Sequence, residues 1–284
     1  MKASSQFSNM PKSFWATVRS ISQKVGYTVR GKGIVKIPTI DEVHQAFIDL
    51  HLNPEEIKKN DTPTQLAKNL KSYYEYRAEI LNNFVEPRLM DADRAKKEFE
   101  KLFDALNPSC PIPMNKQKGD KKAPAYFTCI INMIVETKAK NIGCDYDPRE
   151  LTTVTTNGVP LRTLARRVDG AFPSTVNPTA IWEVKEYYYT TTFGSRVADG
   201  VYETLLDGME LEELYEHEKI KVYHCLMIDS HYTWWNCGKS YLCRIIDMIH
   251  MGYVDEVLFG YEVIERLPTL VQEWICIIND EKLL

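Results

Sequence analysis

The sequence predicts an α/β protein in which a mixed central sheet flanked by helices, over residues 114–284, follows a basic, mainly helical region over residues 1–113. Three observations predict it. Residues 124–140 carry Phe127, Ile130, Ile131 and Ile134 at helical spacing, which buries one face of a helix whose first turn tolerates Pro124. Residues 150–156, 167–172 and 180–189 are short β-branched or aromatic runs separated by turn-forming segments, as strands of one sheet would be. Residues 195–215 then place Val197, Val201, Leu205 and Leu206 on one helical side, and the apolar run 222–228 follows as a strand buried on both faces.

Each element has local support. Asn157-Gly158 is a two-residue hairpin turn after the first strand. The segment 173–179, with Pro173, Asn177 and Pro178, joins the second and third strands as a hairpin. In the N-terminal region Phe14, Trp15, Val18, Ile21 and Val25 define a helix that Gly26 stops. A basic turn at Arg30-Gly31-Lys32-Gly33 leads to a short strand at 34–37, and Thr39 caps a helix over 40–50 with Asp41 and Glu42 in its first turn. Residues 62–107 continue as helices, and Pro108, Pro111 and Pro113 end them. A lysine-rich loop at 115–122 is read in two ways, as a phosphate-binding loop or as an exposed linker.

Composition sets the bounds. A chain of 284 residues, 44% hydrophobic, can bury a substantial core. It has no apolar run long enough to span a membrane and no signal-peptide core near its start, so a cytoplasmic location is expected. The seven cysteines form no C-x-x-C pair and the six histidines are scattered, which points to reduced thiols and no zinc site. Gly238-Lys239-Ser240 ends like a nucleotide-binding loop, but Thr233 stands where that loop's first glycine is needed, so no nucleotide is expected. Net charge is −4, yet residues 1–40 contain no Asp or Glu while Lys2, Lys12, Arg19, Lys24, Arg30, Lys32 and Lys36 are basic. Such a segment favours phosphate contact by counterion release. The acidic run 203–218 is expected to sit away from a polyanion.

The chemistry lies in Asp169 and, fourteen residues on, Glu183-Val184-Lys185. Glu183 and Lys185 are two apart in a strand and share a face; the hairpin sets Asp169 beside Glu183. Two carboxylates and a substrate phosphate suffice for Mg²⁺, a hard cation that keeps several waters. A neighbouring ammonium favours the hydroxide form of the attacking water and offsets developing negative charge.

This pattern resembles the PD-(D/E)xK nuclease superfamily, in its restriction-endonuclease-like branch. The chain's order of helix, three strands, helix and strand resembles that core; the motif's proline is replaced by Val168. The resemblance implies a Mg²⁺-dependent endonuclease acting on double-stranded DNA, with Asp169 and Glu183 as metal ligands, Lys185 activating water and Glu136 assisting from the first helix. A solvated helix carboxylate remains the plain alternative for Glu136. It further implies 5′-phosphate ends and a homodimer reading a palindromic site, as in type II restriction enzymes. DNA contacts are expected from Arg30, Lys32, Lys36, Lys121 and Lys122, and from Thr192, Ser195 and Arg196 at a hydroxyl-rich loop entering a helix N-terminus. Two other readings stay open: a repair or recombination nuclease with the same core, and a non-catalytic DNA-binding module.

Overall fold

The computed structural model describes residues 1–115, 123–189 and 194–281. The N-terminal region contains α1 (Lys12–Val25), a two-stranded hairpin β1 (Thr28–Val29) and β2 (Ile34–Val35), α2 (Ile40–Asp49), a second small hairpin β3 (Lys58–Lys59) and β4 (Thr62–Pro63), and α3 (Gln65–Ile80). The capping predicted at Thr39 is a full capping box: Thr39 Oγ1 accepts from Glu42 N, and the Glu42 carboxylate accepts from Thr39 N. Such a cap contributes about 1 kcal/mol. Phe14, Trp15, Val18 and Ile21 of α1 bury against Tyr73 and Tyr74 of α3, as their helical spacing requires.

A wide helical turn at Leu81–Val85 and the short α4 (Glu86–Arg88) lead into α5 (Ala92–Leu106). Then come α6 (Tyr126–Ala139), β5 (Asp145–Tyr146), β6 (Thr153–Thr156), β7 (Val159–Thr163), β8 (Gly170–Phe172), β9 (Ala180–Glu186), α7 (Ser195–Glu218) and β10 (Tyr223–Asp229). The chain closes with α8 (Lys239–His250), β11 (Glu256–Phe259) and α9 (Glu262–Glu281). The central sheet has the order β11-β10-β9-β8-β5, parallel from β11 to β9 and antiparallel from β9 to β5. The chain is therefore mixed α/β, with helices on both faces of a five-stranded sheet.

The side-chain alternation of β9 assigns those faces. Trp182 points into the core that α5, α6 and α9 cover, stacking on Trp274 at 5.9 Å and 7°. Glu183 and Lys185 point the other way, towards α7. Gly170 pairs with Trp182 across β8 and β9, and a β-carbon there would lie 2.1 Å from the indole. Only a glycine lets the ring lie over the neighbouring strand at that point.

Three expectations are corrected. The first predicted strand, 150–156, is not part of the central sheet; Thr153–Thr156 pairs with Val159–Thr163 as a separate hairpin, turned at Asn157 and Gly158, both with positive φ. The sheet's edge is instead Asp145–Tyr146, where two paired residues left too short a pattern to read. Helix α6 buries nearly all round and not on one face, because α5, α9 and the sheet enclose it. In α7, Leu206 is exposed while Thr204 and Asp207 are buried. The charge of Asp207 is met from another element, so hydropathy misplaced the helix's inner side.

No helix among the described residues is long and apolar enough to cross a membrane. The cysteines form no disulfide among the described residues, and Cys110, Cys129, Cys225 and Cys243 are buried. Trp234 and Trp235 are likewise buried and pack within the core.

Candidate active site

The β8–β9 hairpin brings Asp169 to the motif strand. Asp169 N donates to Trp182 O at 3.1 Å, and Asp169 Oδ2 accepts from Val184 N at 2.7 Å. The carboxylate is thus fixed to the peptide between Glu183 and Lys185, a contact set by strand register. Lys185 Nζ lies 2.8 Å from Glu183 Oε2. Three residues predicted from sequence spacing converge.

Around them stand three residues that the sequence did not single out. Arg166, in the segment before β8, donates from Nη1 to Asp207 Oδ2 at 2.6 Å and from Nη2 to Glu183 Oε2 at 3.0 Å and Glu203 Oε2 at 3.4 Å. Its Nη1 also lies 2.7 Å from Glu183 Oε1, but off the hydrogen-bonding direction, so that buried oxygen has charge contact without a donor. Asp207 Oδ1 is buried and has no hydrogen bond. Lys185 Nζ reaches Glu203 Oε2 at 3.0 Å. Glu203 and Asp207 come from the acidic run expected to lie away from the site, which corrects that expectation. They face inward because four residues is about one helical turn, and both reach Arg166. Glu183 and Asp207 are fully buried, whereas the Glu203 side chain is 41% exposed and forms the open side of the cluster.

Electrostatics follow from four carboxylates sharing two cations. Burial and the nearby Glu183 charge push Asp169 up to about 6, and the same two causes push Asp207 up to about 7. Glu183 is held below its usual range: burial opposes ionisation, but Lys185 and Arg166 together outweigh it. Burial also opposes the charge of Lys185, yet Glu183 and Asp169 raise its pKa, so it is a stable ammonium. Gly200 of α7 makes room for it: a β-carbon there would lie 3.0 Å from Tyr187 Oη and 3.1 Å from Lys185 Cδ.

The other predicted residues lie elsewhere. Glu136, near the end of α6, accepts from Ser109 N at 3.0 Å and from the Ser109 hydroxyl. It is not brought to Asp169, Glu183 and Lys185, because α6 covers the opposite face of the sheet. The acid that joins α6 to the motif strand is Glu186, which accepts from Thr128 N at 3.0 Å and Thr128 Oγ1 at 2.9 Å. Lys36 pairs with Glu42, while Arg30, Lys32 and Arg196 are exposed. Lys121, Lys122 and Thr192 lie outside the described residues, and so does the side chain of Ser195.

Carboxylate oxygens are the donors a hard cation such as Mg²⁺ takes; here Glu183 Oε1 and Asp207 Oδ1 are buried without a hydrogen-bond donor, the former with Arg166 Nη1 2.7 Å away. Among the described residues no three His, Cys, Asp or Glu side chains form a ready cage, so a divalent ion here would complete its shell with water and phosphate oxygens.

Comparison with known proteins gives family membership alone. Residues 90–274 match the family described as Domain of unknown function (DUF7687), and the chain belongs to it. Residues 1–84 match a second, Domain of unknown function (DUF7690). No curated protein and no solved structure matches the chain.

Proposed function

We propose that this family member is a Mg²⁺-dependent endonuclease with a restriction-endonuclease-like core, hydrolysing phosphodiester bonds of double-stranded DNA as a sequence-specific, homodimeric type II restriction enzyme of the cytoplasm. The observation that carries the reading is the Asp169–Val184 hydrogen bond, which locks one carboxylate against the strand that presents Glu183 and Lys185. The order α6, β5, β8, β9, α7, β10, with an antiparallel meander followed by a parallel strand, supports the same reading. Asp169 and Glu183 would hold the ion, which supplies Lewis-acid polarisation of the phosphate and of the attacking water. Lys185, kept as an ammonium, is a poor proton acceptor, so its part is to stabilise negative charge building on the phosphate. Arg166 orients Glu183 by donating to the same Oε2 that Lys185 holds, and it also donates to Asp207.

One observation favours a second reading. Glu183 is already engaged by two cations, as in a purely structural ion-pair network within a non-catalytic DNA-binding module. A magnesium titration of cleavage on unmethylated phage DNA separates the cases. Discrete fragments are expected; a structure-dependent smear would indicate a repair nuclease, and no cleavage the non-catalytic module. Asp169→Asn and Lys185→Met should each lower the rate on the order of a hundredfold or more while the melting curve stays cooperative. A variant retaining more than about a tenth of the rate would remove its residue from the chemistry.

A further inference from the structure

Several exposed or half-buried cations have no carboxylate ion pair among the described residues. Most of the N-terminal basic residues are engaged: Lys12 pairs with Glu212 and Glu216, Lys24 with Asp49, Lys36 with Glu42, and Lys2 with Glu256 and Glu273. Arg30 and Lys32 differ. They stand exposed on the turn between β1 and β2, where Gly31 and Gly33 supply positive φ, and neither has an ion pair among the described residues. That turn is fastened to the start of α8, where Lys239 Nζ donates to Gly33 O and lies 3.6 Å from the centre of the Trp235 ring. Along α8, the Arg244 guanidinium stacks on Tyr27 at 4.8 Å and Tyr241 at 4.9 Å, and Nη1 donates to Tyr202 Oη at 3.4 Å. Tyr202 precedes Glu203 in α7, and exposed Arg196 lies in the first turn of the same helix. Lys239 and Arg244 also form no ion pair among the described residues, although the Glu86 charge favours the Lys239 ammonium from farther off.

We infer that this face, from the β1–β2 turn across α8 to the start of α7, carries the phosphate backbone of a DNA duplex, with Arg244 and Lys239 as contacts. The identity of the polyanion rests on the nuclease reading; the location does not. Stacking holds the Arg244 fork in place before binding, so less side-chain entropy is lost when it meets a phosphate. Cations without carboxylate partners break no ion pair on that exchange. The face ends on α7, the helix that also carries Glu203 and Asp207.

The test is fluorescence anisotropy of a labelled DNA duplex with full-length protein in chelator, from about 50 to about 200 mM salt. Arg30→Gln with Lys32→Gln, Lys239→Gln and Arg244→Gln should each flatten the slope of log K against log salt, by about 0.9 for every phosphate the protein no longer neutralises. Lys59→Gln with Lys68→Gln, exposed cations of β3 and α3 outside this face, should leave the slope unchanged, and Arg244→Lys should restore most of it. The exposed turn variant keeps the test valid if Arg244→Gln fails to fold. An equal effect from the control pair, wild-type slopes in the face variants, or no DNA binding overturns the proposal. Binding that maps to this face without any magnesium-dependent cleavage supports it while removing the nuclease reading. Cleavage with unaltered slopes does the reverse.

Discussion

Arg166 touches three carboxylates at once, two of them fully buried, and its removal would leave Glu183 and Asp207 without their shared cation. Breaking one side of a buried ion pair costs about 3–5 kcal/mol, because the charges left behind are desolvated and uncompensated. Arg166→Gln should therefore lower stability by an amount of that order, read from urea unfolding. A divalent cation drawn to the same carboxylates would offset part of the loss, so millimolar Mg²⁺ or Mn²⁺ should raise the melting temperature more in the variant than in the wild type. An equal shift in both proteins, or none, would mean that the carboxylates do not share an ion. Spacing exposed Asp169, Glu183 and Lys185 to a sequence reader, whereas Arg166 carries no motif and reaches the site only through the path of its loop.

At the scale of elements, the motif strand and α7 are fitted to each other through Gly200. A glycine inside a helix costs about 1 kcal/mol relative to alanine, and opposite Lys185 the close approach it permits offsets that cost. Gly200→Ala should change stability by no more than about 1 kcal/mol, the helix gain offsetting the crowding. Cleavage should fall clearly, because the methyl group displaces the Lys185 stem and the Tyr187 hydroxyl. Unchanged cleavage with a higher melting temperature would show that the lysine has slack. The positions of the helices were legible: α1, α2, α6 and α7 lie along the stretches that apolar spacing marked, although the inner sides of α6 and α7 were not. Helix α5 is legible in the sequence only as a helix; its packing on α6, with Phe99 against Tyr126, is not, since its stripe reports an apolar side and not the surface that covers it.

In the whole molecule, the N-terminal region is joined to the sheet by buried polar contacts. Arg77 of α3 donates to Asp247 of α8 at 3.0 Å, within a cage of Tyr27, Tyr73 and Tyr74, and Tyr73 Oη donates to the same carboxylate at 2.6 Å. The start of the family match over residues 90–274 is tied to the end of β10: Met90 N donates to Asp229 Oδ1 at 2.7 Å and His231 N to Met90 O at 2.8 Å. Burial pushes Asp229 up to about 8, against its three donors Tyr188, Met90 and Ser230, and pushes Glu186 up to about 7. Both acids bind protons more tightly folded than unfolded, so their contribution is complete below the unfolded values near 4 and is lost as pH rises towards 7 and 8. Stability should decline between pH 5 and pH 8 by up to about 1.4 kcal/mol per unit for each group, and Asp229→Asn should flatten the decline. A stability profile that rises over this interval would show that the carboxylates are ionised in the folded chain.

Local signals determined the α/β class, the succession of most elements and the triad at 169, 183 and 185, because periodicity, turn residues and strand alternation act within a few residues of chain. They did not determine the two-residue strand at 145, the separate hairpin at 153–163, or the face on which Glu136 sits, since these depend on which surfaces pack together. The tertiary structure alone decided that Arg166, Glu203 and Asp207 join the triad and that Lys2 and Lys12 are engaged by carboxylates distant in sequence. A charge's partner is set by Coulomb energy and desolvation at distances of a few ångströms, and the chain reaches those distances only after its apolar faces have packed.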